Sequence, residues 1–268
     1  MKVWTVANQK GGVGKTTTSV ALAGLLAEQG KRVLLIDTDP HASLTYYFGI
    51  DSERIEVSAY DVFSRGREMQ REEILQALCP SAVENIDILP ATMAIATLDR
   101  SMGTQSGMGL ILKKVLAKIS DDYDYAILDC PPVLGVLMVN ALAASDHVLV
   151  PVQTEFLALK GLERMMRTME LMQISAAPKG DGTACGNAYK YTVVATMFDK
   201  RTKASLVAYK QLLASYGDNV WPGVIPIDTK FRDASLAQQV PSKHSSKARG
   251  VQAYRHLLDY LQQREEQA

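Results

Sequence analysis

Residues 2–8 (KVWTVAN) form an apolar run of strand length. It leads into Lys10-Gly11-Gly12-Val13-Gly14-Lys15-Thr16-Thr17, and residues 16–29 then show the broad apolar face of a helix. A glycine-rich loop between a strand and a helix is the arrangement that cradles phosphate. Glycines let the backbone turn tightly and aim several N–H groups at one anion. The helix start adds its partial positive charge. Lys15 can reach the β- and γ-phosphates of a nucleotide. The Thr16 hydroxyl can ligate Mg²⁺, a hard cation that prefers oxygen. The general pattern G-x-x-x-x-G-K-[ST] puts glycine where Gln9 stands, and Lys10 is an additional cation, so the loop is a variant.

The rest of the chain repeats the strand–helix alternation. Strands are expected at 32–37, 86–90, 123–129, 147–152, 191–198 and 220–226, and helices at 110–119, 139–144, 156–174 and 204–216. Runs that are apolar on both faces belong to parallel sheets covered by helices on both sides. The expected fold class is therefore α/β, a doubly wound and mostly parallel sheet, over one domain spanning 1–268. Gly30 is the expected stop of the first helix. Strands of such a sheet turn their C-terminal ends to the ligand crevice. Two of the expected strands end in acids there, Asp37 (followed by Thr38-Asp39-Pro40) and Asp129. An apolar strand ending in Asp129 matches the acid that holds Mg²⁺ in phosphoryl-transfer sites.

Composition narrows the class further. The chain has 268 residues, 47% of them hydrophobic, which is too apolar for disorder. Cys79, Cys130 and Cys185 are odd in number and far apart, against a disulfide framework, a zinc site or an iron–sulfur site. The longest apolar stretch, 133–144, contains Asn140 and is too short for the roughly 30 Å hydrocarbon core of a membrane. No signal peptide is expected, and a cytoplasmic location is. The 29 Lys+Arg balance 29 Asp+Glu, yet eleven Lys/Arg face four Asp between 186 and 256. A neutral protein with one basic region can still bind a polyanion.

KGGVGKTT resembles the deviant Walker A motif of the ParA/MinD/Soj superfamily, which includes the nitrogenase iron protein. The resemblance implies a nucleotide-sandwich homodimer, in which Lys10 reaches across to the nucleotide of the partner. Asp37-Thr38-Asp39-Pro40 resembles the family's D-x-D-P switch, implying that Asp39 orients the attacking water and Asp37 acts near the metal. His41 stands where the family usually has Gln, and a surface role and a functional role for it stay equally open. Asp129-Cys130-Pro131-Pro132, VPVQTEF at 150–156 with ALKGL at 158–162, and FDKRT at 198–202 extend the match. Ile225-Pro226 opens the segment that packs on adenine in the family, which implies Pro226 and Asp228. The implied cofactors are ATP and Mg²⁺. The implied catalytic residues are Lys10, Lys15 and Asp39. Lys10 to Thr17, with Gly11, Gly12, Val13 and Gly14 between, would hold the nucleotide; Thr16, Asp37 and Asp129 would hold the metal.

ParA-like proteins bind DNA non-specifically as the ATP dimer, through basic residues of the C-terminal half. Arg201, Lys203, Lys230 and Arg232 are the expected DNA contacts. A basic amphipathic membrane helix of the MinD kind is not expected. The C-terminal stripe Val251, Tyr254, Leu257, Leu258 and Leu261 is read as core, since Asp259, Glu265 and Glu266 oppose a lipid surface. Phe156, Leu159, Leu162, Met165, Met166, Met169 and Met172 are likewise read as sheet-covering core. With nine residues before Lys10, an operator-binding domain ahead of the loop is not expected. Asp-Pro-His in the switch, PPVLGVLM at 131–138, GLERM at 161–165 and DTKFRDAS at 228–235 resemble a branch found beside chemotaxis genes. The expected machine is thus a slow ATPase that positions or segregates a cargo, at the nucleoid or a pole. It would be stimulated by a ParB-like or chemotaxis-array adaptor. Chromosome or plasmid partitioning and a non-hydrolysing nucleotide-sensing scaffold are the alternatives. The loop 175–190 is assigned no function.

Overall fold

In a computed structural model the residues described are 1–98, 108–176 and 189–267. Cys185 and most of the loop 175–190 lie outside them. Seven strands form one sheet in the order β3-β4-β2-β5-β1-β6-β7. These are β1 (Lys2–Val6), β2 (Val33–Asp37), β3 (Cys79–Pro80), β4 (Ile86–Leu89), β5 (Tyr125–Asp129), β6 (His147–Gln153) and β7 (Tyr191–Thr196). All pairings are parallel except β3 with β4. Every residue of β2 and β5 is buried, as two-sided helix cover requires.

The helices are α1 (Lys15–Glu28), α2 (Ser43–Tyr47), α3 (Ala59–Arg65), α4 (Arg71–Gln76), α5 (Ile111–Lys118), α6 (Val136–Ala144), α7 (Phe156–Ala176), α8 (Lys203–Tyr216), α9 (Lys230–Leu236), α10 (Pro241–His244) and α11 (Arg249–Glu266). One face of the sheet is covered by α1 and α11, with Trp4, Val6, Leu22, Leu25, Tyr254 and Leu257 in its core. The other carries α3 and α5 to α8, with Leu112, Leu137, Met138, Leu162, Met165 and Leu212. The doubly wound expectation holds. Gly30, at φ 75°, ends α1 as expected.

The C-terminal stripe is core: Val251, Tyr254, Leu257, Leu258 and Leu261 are all buried on α1. The Tyr254 hydroxyl and Thr18 Oγ1 lie 2.8 Å apart, and Glu265 accepts from Trp4 Nε1 at 2.8 Å. The methionine stripe of α7 is also largely core, with Met165 and Met169 buried, but Phe156 is 66% exposed.

The expected strand 220–226 does not form. Its backbone meets β7 and the residues after it at separate points: isolated bridges pair Val193 with Val220 and Phe198 with Pro226, and Trp221 and Ile225 N–H donate to the Val193 and Ala195 carbonyls at 3.0 and 2.8 Å. Between them Pro222 lacks an N–H to donate, and Gly223 folds against the Trp221 ring, 2.4 Å from a Cβ built on it. The strand expected at 191–198 stops at Thr196 because Met197 is left-handed at φ 51°.

Candidate nucleotide site

The loop after β1 lies at the C-terminal end of the sheet, between strands that diverge to either side. Gly12 and Gly14 have φ values of 73° and 89°, a region that favours glycine. Nothing lies within 4 Å of a Cβ built on Gly11, Gly12 or Gly14, so the loop rims open space. Its frame is fixed from outside. Asn8 Nδ2 donates to the Pro151 carbonyl at 2.8 Å, and Asn8 Oδ1 accepts from the Lys10 N–H at 3.0 Å. Thr196 Oγ1 donates to the Val13 carbonyl at 2.9 Å. β1, β6 and β7 thus hold one concave loop.

Lys15, the first residue of α1, is 8% exposed, and its Nζ donates to the Lys10 carbonyl at 3.2 Å. It forms no ion pair among the described residues. Burial lowers its pKa, against the raising influence of Asp129 and Asp39. A buried, uncompensated ammonium facing open space is a site for an anion.

The carboxylates lie beside it. β2 and β5 pair Asp37 with Asp129 in register. Asp129 Oδ2 accepts from Thr16 Oγ1 at 2.6 Å, and Oδ1 from Ser19 Oγ at 3.3 Å. Burial, then repulsion from Asp37, pushes the Asp129 pKa up to about 7. Burial likewise raises Asp37 to about 6. Two buried carboxylates at the end of adjacent strands are costly unless a cation joins them, so the donor set fits Mg²⁺. Among the described residues no three His, Cys, Asp or Glu side chains cluster to hold a metal. A cation here would take its remaining oxygen ligands from water or a bound phosphate. Asp37 is already engaged: Oδ2 accepts from Thr45 N and Oγ1 at 2.9 and 2.7 Å, and Oδ1 from Asp39 N at 3.0 Å. It shapes the turn that carries Asp39.

Asp39 Oδ1 accepts from the His41 N–H at 2.9 Å and lies 2.8 Å from His41 Nδ1. The contact of His41, left open by the sequence, is thus Asp39. Lys10 ion-pairs with Glu155, the residue ahead of α7. Sequence reasoning missed Glu155; its place beside the family-like Phe156 and 158–162 was the available signal.

A cleft of about 610 Å³ opens where β7 ends and α11 begins, lined by Phe198, Pro226, Lys200, Arg201, Lys247 and Arg249 among others. Pro226 is in it. Asp228 is not: its oxygens accept from Lys230 N at 3.0 Å and Gly250 N at 2.9 Å, tying α9 to α11. Of the expected DNA contacts, Arg201 is bidentate to Asp199 at 2.9 and 2.7 Å, holding that acid down to about 2. Lys230 pairs with Asp233 at 2.8 Å. Lys203 and Arg232 form no ion pair among the described residues, and neither do Lys200, Lys247 and Arg249 on the cleft rim.

With that geometry in place, known proteins agree. A family model described as an AAA domain matches residues 1–179. The sporulation initiation inhibitor protein Soj of Bacillus subtilis is 34% identical over 258 residues, 96% of each chain. The chromosome partitioning protein ParA of Caulobacter vibrioides is 35% identical over 267 residues, covering 99% of this chain and 95% of that one. A crystal structure of cobyrinic acid a,c-diamide synthase from Mycobacterium smegmatis, with bound ATP analog and magnesium, superposes with a TM-score of 0.81. It is 32% identical and covers 99% of this chain and 96% of that one.

Proposed function

The chain belongs to the ParA/MinD/Soj superfamily of P-loop ATPases, and we propose that it is an ATP-driven dimerisation switch acting as one unit over 1–268. Two copies close on two ATP molecules, the closed form binds DNA without reading bases, and slow, partner-stimulated hydrolysis reopens it. One observation carries this reading. A single glycine loop holds two lysines with separate destinations, Lys15 buried in the loop and Lys10 paired at the start of α7. One lysine suffices for the phosphates of its own chain. A second, leaving the loop, supports a role on the nucleotide of a partner.

Hydrolysis transfers the γ-phosphoryl group of ATP to water, and the protein contributes positioning and charge. The backbone N–H groups of 11–17 hold the phosphates, and Lys15 neutralises them from below. Lys10 of the second copy adds charge in trans. Asp39 accepts a hydrogen bond from the attacking water, with His41 fixing its Oδ1. Thr16 and Asp129 would hold Mg²⁺, with Asp37 behind them, and the ion would neutralise charge on the β- and γ-phosphates. A scaffold that only senses nucleotide needs no water-orienting acid, so Asp39 favours turnover. Pro226 supports the adenine from the cleft wall.

Lys203 and Arg232, without an ion pair among the described residues, would form the DNA face together with the cleft rim. Arg201 and Lys230 join them by exchanging Asp199 and Asp233 for phosphate. The name of the Caulobacter relative supports chromosome partitioning as the task, and the family resemblance supports a ParB-like activator. The chemotaxis-like phrases support polar arrays and their adaptor as cargo. No helix among the described residues is long and apolar enough to cross a membrane, and α11 is committed to the core.

The test is ATP-dependent binding to two unrelated DNA duplexes across a salt series. The expected result is equal affinity for both, falling in log–log terms by about 0.9 per phosphate neutralised. A flat salt response, or equal binding without ATP, contradicts the reading.

A further inference from the structure

Three segments close on Lys10 in the single chain. Its Nζ pairs with Glu155 Oε1. Its N–H donates to Asn8 Oδ1, and Asn8 is itself tied to Pro151 of β6. Its stem runs over α7, where a Cβ built on Gly161 would lie 3.4 Å from the Lys10 Cβ. Glu155 is held just as firmly by its backbone. Its N–H donates to the Gln153 carbonyl at 2.8 Å, and its carbonyl accepts from Ala158 and Leu159 at 3.1 and 3.4 Å, closing the first turn of α7. Among the described residues Lys10 forms no other ion pair.

An amine held against a carboxylate of its own chain is not available to a triphosphate held by another. We propose that Glu155 is a positioning residue for Lys10, an intrachain latch that parks the amine on α7 in the monomer and releases it as two chains close. The latch sets how readily ATP drives dimerisation. It rests on the reading of Lys10 as the residue that acts in trans.

Two observations favour a latch over a permanent brace. The Lys10 and Glu155 side chains are 28% and 45% exposed, so the amine can trade carboxylate for phosphate without crossing a dry core. The next two residues, Phe156 and Leu157, are 66% and 69% exposed. Two large apolar side chains on the turn that carries the latch gain from being covered when a second copy arrives, so closure and release act on the same turn.

The size of the effect follows from the exposure. Partly exposed ion pairs shift an equilibrium by a factor of about two to five. Two latches open per dimer, so the dimer dissociation constant changes by about four- to twenty-five-fold.

The experiment uses the full chain with Asp39→Ala, to block turnover, in saturating ATP and Mg²⁺. Sedimentation measures the dimer dissociation constant with and without Glu155→Gln. The expected result is a dimer tighter by that factor, with the ATP affinity of the dilute monomer unchanged within about two-fold. Glu155→Ser, which removes the charge but keeps a good helix-starting side chain, gives the same shift. A brace predicts otherwise: an unchanged or weaker dimer in both variants overturns the latch while leaving the switch intact. No ATP-dependent dimer in the Asp39→Ala reference overturns the parent reading instead.

Discussion

Asp39 is 15% exposed at its side chain, and one of its two oxygens is occupied twice over by His41. Among the described residues the other oxygen accepts no hydrogen bond, which leaves it free to hold a water. Lys15, by contrast, forms no ion pair among the described residues, although Asp129 and Asp39 act on it. On the proposed reading the two side chains divide the chemistry, charge on one and water on the other. Asp39→Ala removes the water-holding acid and leaves the phosphate cradle whole. Phosphate release is expected to fall about 100-fold or more, while ATP affinity stays within a few-fold. Phosphate-release kinetics and calorimetry check this. Turnover that survives the substitution assigns the water to another residue.

At the scale of elements, α1 and the start of α10 approach closely. A Cβ on Gly24 would lie 2.7 Å from Val240 Cβ and 3.2 Å from Ser242 Oγ. Helix propensity alone makes Gly24→Ala a gain of about 1 kcal/mol. Overpacking against a Cβ that cannot swing away costs about 1–3 kcal/mol. A net loss near 1 kcal/mol is expected in urea unfolding, and a gain would mean that the helices part easily. Such contacts also mark what the sequence could convey. β1, the glycine loop, α1, β2 and β5 were legible because a strand apolar on both faces, a glycine run and a helix period are local signals. Residues 220–226 read as a strand on apolarity, but Pro222 and Gly223 break the ladder. α2 to α4, α9 and α10 are too short for a period to declare itself. The same divide runs through the site. Lys15, Thr16 and Asp129 announce themselves by position. The pairing of Lys10 with Glu155 spans 145 residues of sequence and depends on how β1 and β6 lie together. The Asp39–His41 contact belongs to a local turn after β2, in which the Ala42 N–H also donates to the Asp39 carbonyl at 2.8 Å, and it has no periodic signal in the sequence.

Over the whole molecule, one sheet carries the phosphate loop, the acids, the cleft that holds Pro226 and the start of α7 at its C-terminal edge. Of the cations after 186, Lys200, Arg201, Lys247 and Arg249 line the cleft at that edge, and Lys203 and Lys230 open α8 and α9. On the proposed reading, a nucleotide that joins two such edges would bring two basic regions into one assembly and so couple ATP to DNA. The coupling stands on Lys10 acting across the junction. The most direct measurement is the solution mass, by light scattering with ATP and Mg²⁺, of the Asp39→Ala protein with and without Lys10→Ala. The account predicts twice the chain mass for the first and the single-chain mass for the second. A Lys10→Ala protein that doubles its mass as readily as its parent would contradict it.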